Sequence, residues 1–117
     1  MKSHISIKRI YELPSSADGY RILIDRIWPR GLQKSKINID EWVKEVAPST
    51  SLRKWFNHEQ AKWTAFIWRY KEELKSNVAA ADLTKRLCTK KKVTLLYGAK
   101  DKEHNHAIVL KDFLENE

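Results

Sequence analysis

Two short stretches hold most of the side chains that could bind or transform a ligand. They are Asp25-Arg26-Ile27-Trp28-Pro29-Arg30-Gly31 and Lys100-Asp101-Lys102-Glu103-His104-Asn105-His106. Arg26, Arg30 and Lys100 supply positive charge, and Arg30 next to Gly31 would present a planar fork to phosphate or carboxylate. Trp28 offers a stacking surface for a ring or base. Asp25 together with His104 or His106 could move a proton, because an unperturbed imidazole titrates near neutrality. Asp101 and Asn105 complete the polar set.

Each of these residues also has a structural reading. Asp25 with Arg26 or Arg30 could be an ion pair that locks a loop. Trp28 could belong to the core, Asp101 could cap a helix, and either His could be held at a helix start by hydrogen bonds. His104 and His106 are two apart, which puts them on nearly opposite sides of a helix. No second ligand pair at zinc spacing accompanies them, so no metal site is expected. No glycine loop cradles a phosphate, no Ser stands in a nucleophile elbow, and no cofactor is indicated. Cys88 is expected to be inert inside a helix among apolar neighbours. Arg53, Lys54, His58 and Lys62 are expected to form a solvated face.

The elements that must position these groups are read from periodicity. Ile22-Leu23-Ile24 is an unbroken apolar run, as in a strand covered on both faces, and Pro29 and Gly31 stop it. Ile5, Ile7 and Ile10-Tyr11 make a first strand, followed by a turn cluster from Pro14 to Gly19. That link is short for a parallel crossover, so pattern alone leaves the direction of the first strand open. Asn38 and Glu41 have capping spacing before Ile39, Trp42, Val43 and Val46, which predicts a helix ended by Pro48. A short helix carries Leu52, Trp55 and Phe56. A long one, Glu59 to Lys75, carries Trp63, Phe66, Ile67, Tyr70 and Leu74, with Trp68 off that face. A fourth runs from Ala79 to Lys90. Val93–Tyr97 is a second interior strand, Gly98 to Glu103 a charged loop, and Ala107, Leu110, Phe113 and Leu114 mark a last helix. The expected fold is a single α/β domain over residues 1–117: a small, mostly parallel three-stranded sheet with about five helices packed around it.

One geometric step joins pattern to chemistry. A long helical connection between two strands of one sheet makes them parallel. Parallel strands send their C-terminal loops to one edge, so Asp25 to Gly31 should face Gly98 to His106 across a crevice. The second loop enters a helix whose free N–H groups favour an anion. In the 117 residues, 23 Lys and Arg against 15 Asp and Glu leave a charge of +8, which favours anionic partners. No apolar run reaches membrane-span length and no signal peptide is expected in Met1 to Ile10. A lone Cys then points to the cytoplasm.

Three segments resemble the YeaO-like family of small bacterial proteins, a branch of a larger group of domains of unknown function. They are Asp18 through Gly31, Ala47-Pro-Ser-Thr50 with Leu52-Arg-Lys-Trp-Phe56, and Val93–Tyr97 through Ala99–Ala107. The resemblance covers nearly the whole chain and implies an α/β sandwich in a bacterial cytosolic protein, without implying an activity. The wider group carries a Cys-His-Arg signature where this chain reads Asn105-His106-Ala107, so thiol or arginine chemistry is not carried over. The functional expectation is an anionic small molecule, a nucleotide or phosphorylated metabolite, bound in the crevice. Arg26, Trp28, Arg30, Lys100, Asp101 and Asn105 would bind it, with Asp25, His104 and His106 available for acid-base work. A basic nucleic-acid-binding module and a non-catalytic partner-binding protein are the alternatives. Oligomeric state is not legible.

Overall fold

The computed structural model describes residues 4–116. One parallel sheet runs in the order β1-β4-β2-β3. Its strands are β1 (His4–Arg9), β2 (Tyr20–Leu23), β3 (Glu41–Trp42) and β4 (Lys92–Tyr97). The helices are α1 (Thr50–Phe56), α2 (Trp63–Lys75), α3 (Val78–Leu87) and α4 (His106–Glu115). Among the described residues, no helix is long and apolar enough to cross a membrane.

Alternation along the strands builds two unequal cores. Ile5, Ile22, Ile24, Val93, Leu95 and Tyr97 face the helices and join Phe66, Tyr70, Leu83, Leu110 and Phe113 in the larger cluster. The intervening Leu23 and Leu96 point the other way and pack with Ile10 beneath Trp28, Leu32, Ile37, Ile39 and Trp42. Ile22, Leu23 and Ile24 are each 0% exposed, which is why the run carries no polar alternation.

The helical layer follows its apolar spacing. Phe66, Tyr70 and Leu74 recur every fourth residue of α2 and are buried, while Trp68 projects from the opposite side at 69% exposure. Side-chain caps start three of the helices: Ser49 accepts from the Leu52 amide, Asn77 from Ala80, and Asn105 from Ile108. Glu73 of α2 accepts from both the backbone N–H and the hydroxyl of Ser49, which fixes α1 on α2.

The first strand proves parallel: it pairs with β4 from His4↔Lys92 to Arg9↔Tyr97. The link to β2 starts with a turn closed by the Glu12 N–H on Arg9 O, and ends with a 3₁₀ turn at Ser16–Asp18. Gly19 closes that turn at φ +66, where its missing Cβ lets the chain lie against Lys92. Beside it, Asp18 holds Lys8 and the buried Arg21. Burial alone would raise the Asp18 pKa, but the Ser15 N–H and these two cations outweigh it and hold the carboxyl below its ordinary value.

Two expectations are corrected. The predicted helix from Ile39 to Val46 is instead strand β3 followed by a 3₁₀ turn at Lys44–Val46. Its apolar residues serve two cores, Ile39 and Trp42 the smaller and Val43 and Val46 the larger, which one helical face could not do. Of the pair that looked like a cap, Glu41 is spent on Arg86, and the Asn38 carbonyl and the neighbouring Asp40 carboxylate accept from Arg21. The sheet therefore has a fourth strand and one helix fewer than expected. Cys88 is exposed rather than buried, at the C-terminal cap of α3 with its thiol on Thr84 O.

Candidate functional site

The chain leaving β2 enters the smaller core through Trp28, whereas the chain leaving β4 enters α4 and the larger core. Adjacent parallel strands whose continuations part to opposite faces leave a crevice at their C-terminal ends. Asp25 stands there. Its Oδ2 accepts from the Gly98 amide at 2.9 Å, bridging the two strand ends. The approach requires glycine: a Cβ on Gly98 would lie 2.8 Å from that same oxygen. From behind, the Trp42 indole N–H donates to the Asp25 carbonyl at 2.6 Å.

His106, the first residue of α4, closes the other side. Its Nε2 lies 3.1 Å from Ile24 O and 3.2 Å from Asp25 Oδ1. Both neighbours are acceptors, so Nε2 carries the proton and Nδ1 is the nitrogen left over. Asp25 Oδ1 itself is buried without a hydrogen-bond partner. His104 pairs differently, through Nδ1 to Asp101 Oδ2 at 3.0 Å, with its ring edge-on to Trp63. The other Asp101 oxygen accepts the amides of Glu103 and His104. The Glu103 N–H is the main reason that the Asp101 carboxyl sits below its ordinary pKa. Asp101 thus ties the loop before α4, and the helix cap expected of it falls to Asn105. Asn105 is buried, with Oδ1 on the Ile108 amide and Nδ2 on Asp101 O.

The remaining expected residues divide. Arg26 donates to the carbonyls of Pro48 and Ala47, each at 3.1 Å, so much of its fork is occupied in tying the β2 loop to the start of α1. Trp28 is half-buried: its N–H donates to Leu32 O and its ring meets Trp42 edge-on beside the smaller core, while it also borders the crevice. Arg30 and Lys100 are exposed beside the crevice. Arg30 contributes its carbonyl to the Tyr11 hydroxyl.

Two adjoining cavities occupy the crevice. The smaller, about 180 Å³, is bounded by Asp25, Arg26, Phe56, Phe66, His104 and His106. The wider, about 630 Å³, is bounded by Tyr11, Asp25, Trp28, Arg30, Lys100 and Asp101. Ile27, Arg53, His58 and Ala99 border both. Arg30 thus borders the wider cavity and His106 the smaller, and Asp25 is common to both. Arg53 and His58, which sequence reasoning assigned to a solvated face, are exposed as that reading expects and also border both cavities, a placement it did not foresee. One signal was available: Asn57 and His58 end a seven-residue helix and both adopt positive φ, 46 and 55, which is uncommon outside glycine and often marks a site.

Residues 4–117 match the model of the DUF488-N3i family, described as the inactive DUF488-N3 subclade. The uncharacterized protein YeaO of Escherichia coli (strain K12) is 42% identical over 113 residues, covering 97% of this chain and 98% of that protein. The uncharacterized protein Rv3073c of Mycobacterium tuberculosis (strain H37Rv) is 37% identical over 113 residues, covering 97% of this chain and 95% of that one. No solved structure matches the chain.

Proposed function

The chain belongs to the inactive DUF488-N3 subclade, the YeaO-like family, and from that premise we propose that it binds an anionic small molecule in the crevice without transforming it. One observation carries this reading. Arg30, Arg53 and Lys100 come from three separate segments and border the same wide cavity. Among the described residues, none of the three side chains makes an ion pair or hydrogen bond. Cations without internal partners, gathered around one concavity, attract an anion and steer it inward. The first turn of α4 opens nearby and adds the positive end of its dipole.

Binding without turnover fits the groups at hand. Asp25 and His106 are engaged in joining β2, β4 and α4, and Asn105 is spent as a cap. The position at which the wider group carries a thiol thus serves the fold here. The test is thermal unfolding of the full chain at low salt with inorganic phosphate, ribose 5-phosphate or citrate. A ligand at 100 times its Kd stabilises by about 2.7 kcal/mol. Arg30→Ala and Arg53→Ala should each abolish most of the shift, and the ligand should be recovered chemically unchanged. If none of these anions raises the unfolding temperature of the wild type, the reading falls.

A further inference from the structure

We infer that the two cavities divide one ligand between them, a flat ring in the smaller and a phosphate in the wider, so that the ligand class is a nucleoside monophosphate. This rests on the anion-binding reading above and adds to it the part of the ligand that is not the anion. The smaller cavity differs in kind from its neighbour. Phe56 and Phe66 form one wall and stack on each other with ring centroids 4.4 Å apart at 27°. Ile27, Ala47 and Pro48 continue the apolar lining. At about 180 Å³ it lies below the range of roughly 300–1,000 Å³ typical of pockets that enclose a whole drug-sized ligand. It suits a ring better than a complete metabolite.

Its polar end has a defined character. His104 commits Nδ1 to Asp101 and His106 commits Nε2 to Ile24 O. In the neutral rings the nitrogens left over, His104 Nε2 and His106 Nδ1, are acceptors. Two acceptors beside an aromatic wall match a planar heterocycle that carries N–H groups, as an amino-bearing nucleobase does. The wide cavity then takes the phosphate between Arg30 and Lys100, with Arg53 at the border of the two compartments. An aliphatic phosphorylated metabolite would leave the aromatic compartment unused.

The experiment is titration calorimetry of the full chain at one salt concentration. The titrants are the four ribonucleoside monophosphates, ribose 5-phosphate and inorganic phosphate. Stacking and desolvation of a base predict that the best nucleotide binds about tenfold or more tighter than ribose 5-phosphate. Ala47→Leu, which fills the smaller cavity, and His104→Leu, which removes an acceptor, should each erase that margin, taken as the ratio of the two affinities within one variant. If Ala47→Leu does not fold, His104→Leu decides. Equal affinities for nucleotide and ribose 5-phosphate overturn this inference and leave the anion site standing. A nucleotide preference that survives the folded variants also overturns it, since the ring would then sit elsewhere. Failure of every titrant, phosphate included, removes the anion site and this inference together.

Discussion

Substituting Gly98 by Ala isolates the contact on which the crevice turns. The added Cβ would lie 2.8 Å from Asp25 Oδ2 and 3.7 Å from Pro29 Cβ, so the first clash is with the carboxylate alone. That carboxylate has little room to yield. It is held by the Gly98 amide on one oxygen and has His106 Nε2 3.2 Å from the other. Its backbone is pinned by Trp42. Relieving the overlap breaks the amide bond to Oδ2, and a hydrogen bond to a charged group is worth about 1.5–3 kcal/mol. For a domain of this size that corresponds to a fall of roughly 5–12 °C in unfolding temperature. The assay is thermal and urea unfolding of Gly98→Ala, Asp25→Ala and the double variant. If the clash is with Asp25, Gly98→Ala costs little in the Asp25→Ala background, giving a coupling of about 1.5 kcal/mol or more. Equal costs in both backgrounds would refute the reasoning and assign the role of Gly98 to its backbone instead.

Two further outcomes test neighbouring parts of the fold. The Asp18 carboxyl is held below its ordinary value of 3.8, so the stability it contributes is full above that pH and is lost as pH falls through the lower folded value. Asp18→Asn leaves Arg21 buried without its partner, so the urea-midpoint gap to wild type should be wide at pH 6 and shrink below pH 3.8; a gap independent of pH contradicts the assignment. Asn105→Ala should cost about 0.5–2 kcal/mol in urea unfolding through loss of the α4 cap, and Asn105→Asp, which keeps the acceptor for the Ile108 amide, should restore more than half; equal losses would count against capping.

The parts of this fold that sequence reveals are those with a long period. The apolar runs of β2 and β4 and the fourfold spacing of α2 announce themselves, and with them the meeting of Asp25 with His106. The two-residue strand β3 is too short to show a period, and its apolar neighbours face two cores, so they imitate a helix. Trp28 borders the wider cavity yet also packs on a partner, Trp42, fourteen positions away that no local pattern names. Arg53 and His58 reach the crevice only because Glu73 and Arg26 anchor α1 beside it. Lateral packing of that kind leaves no mark in spacing.

The Trp42 indole gives the helix-free side of the sheet a second duty. That side is a thin coat of loop around Trp28, Leu32, Ile37 and Ile39 with the 3₁₀ turn at Lys34–Lys36, yet through Trp42 it grips the carbonyl of the residue on which the crevice is centred. Loss of this grip would release the Asp25 carbonyl while Ile24 stayed on His106 and Arg26 on the start of α1. The pocket is thus braced from the back of the molecule as well as from its helices, by its least regular layer.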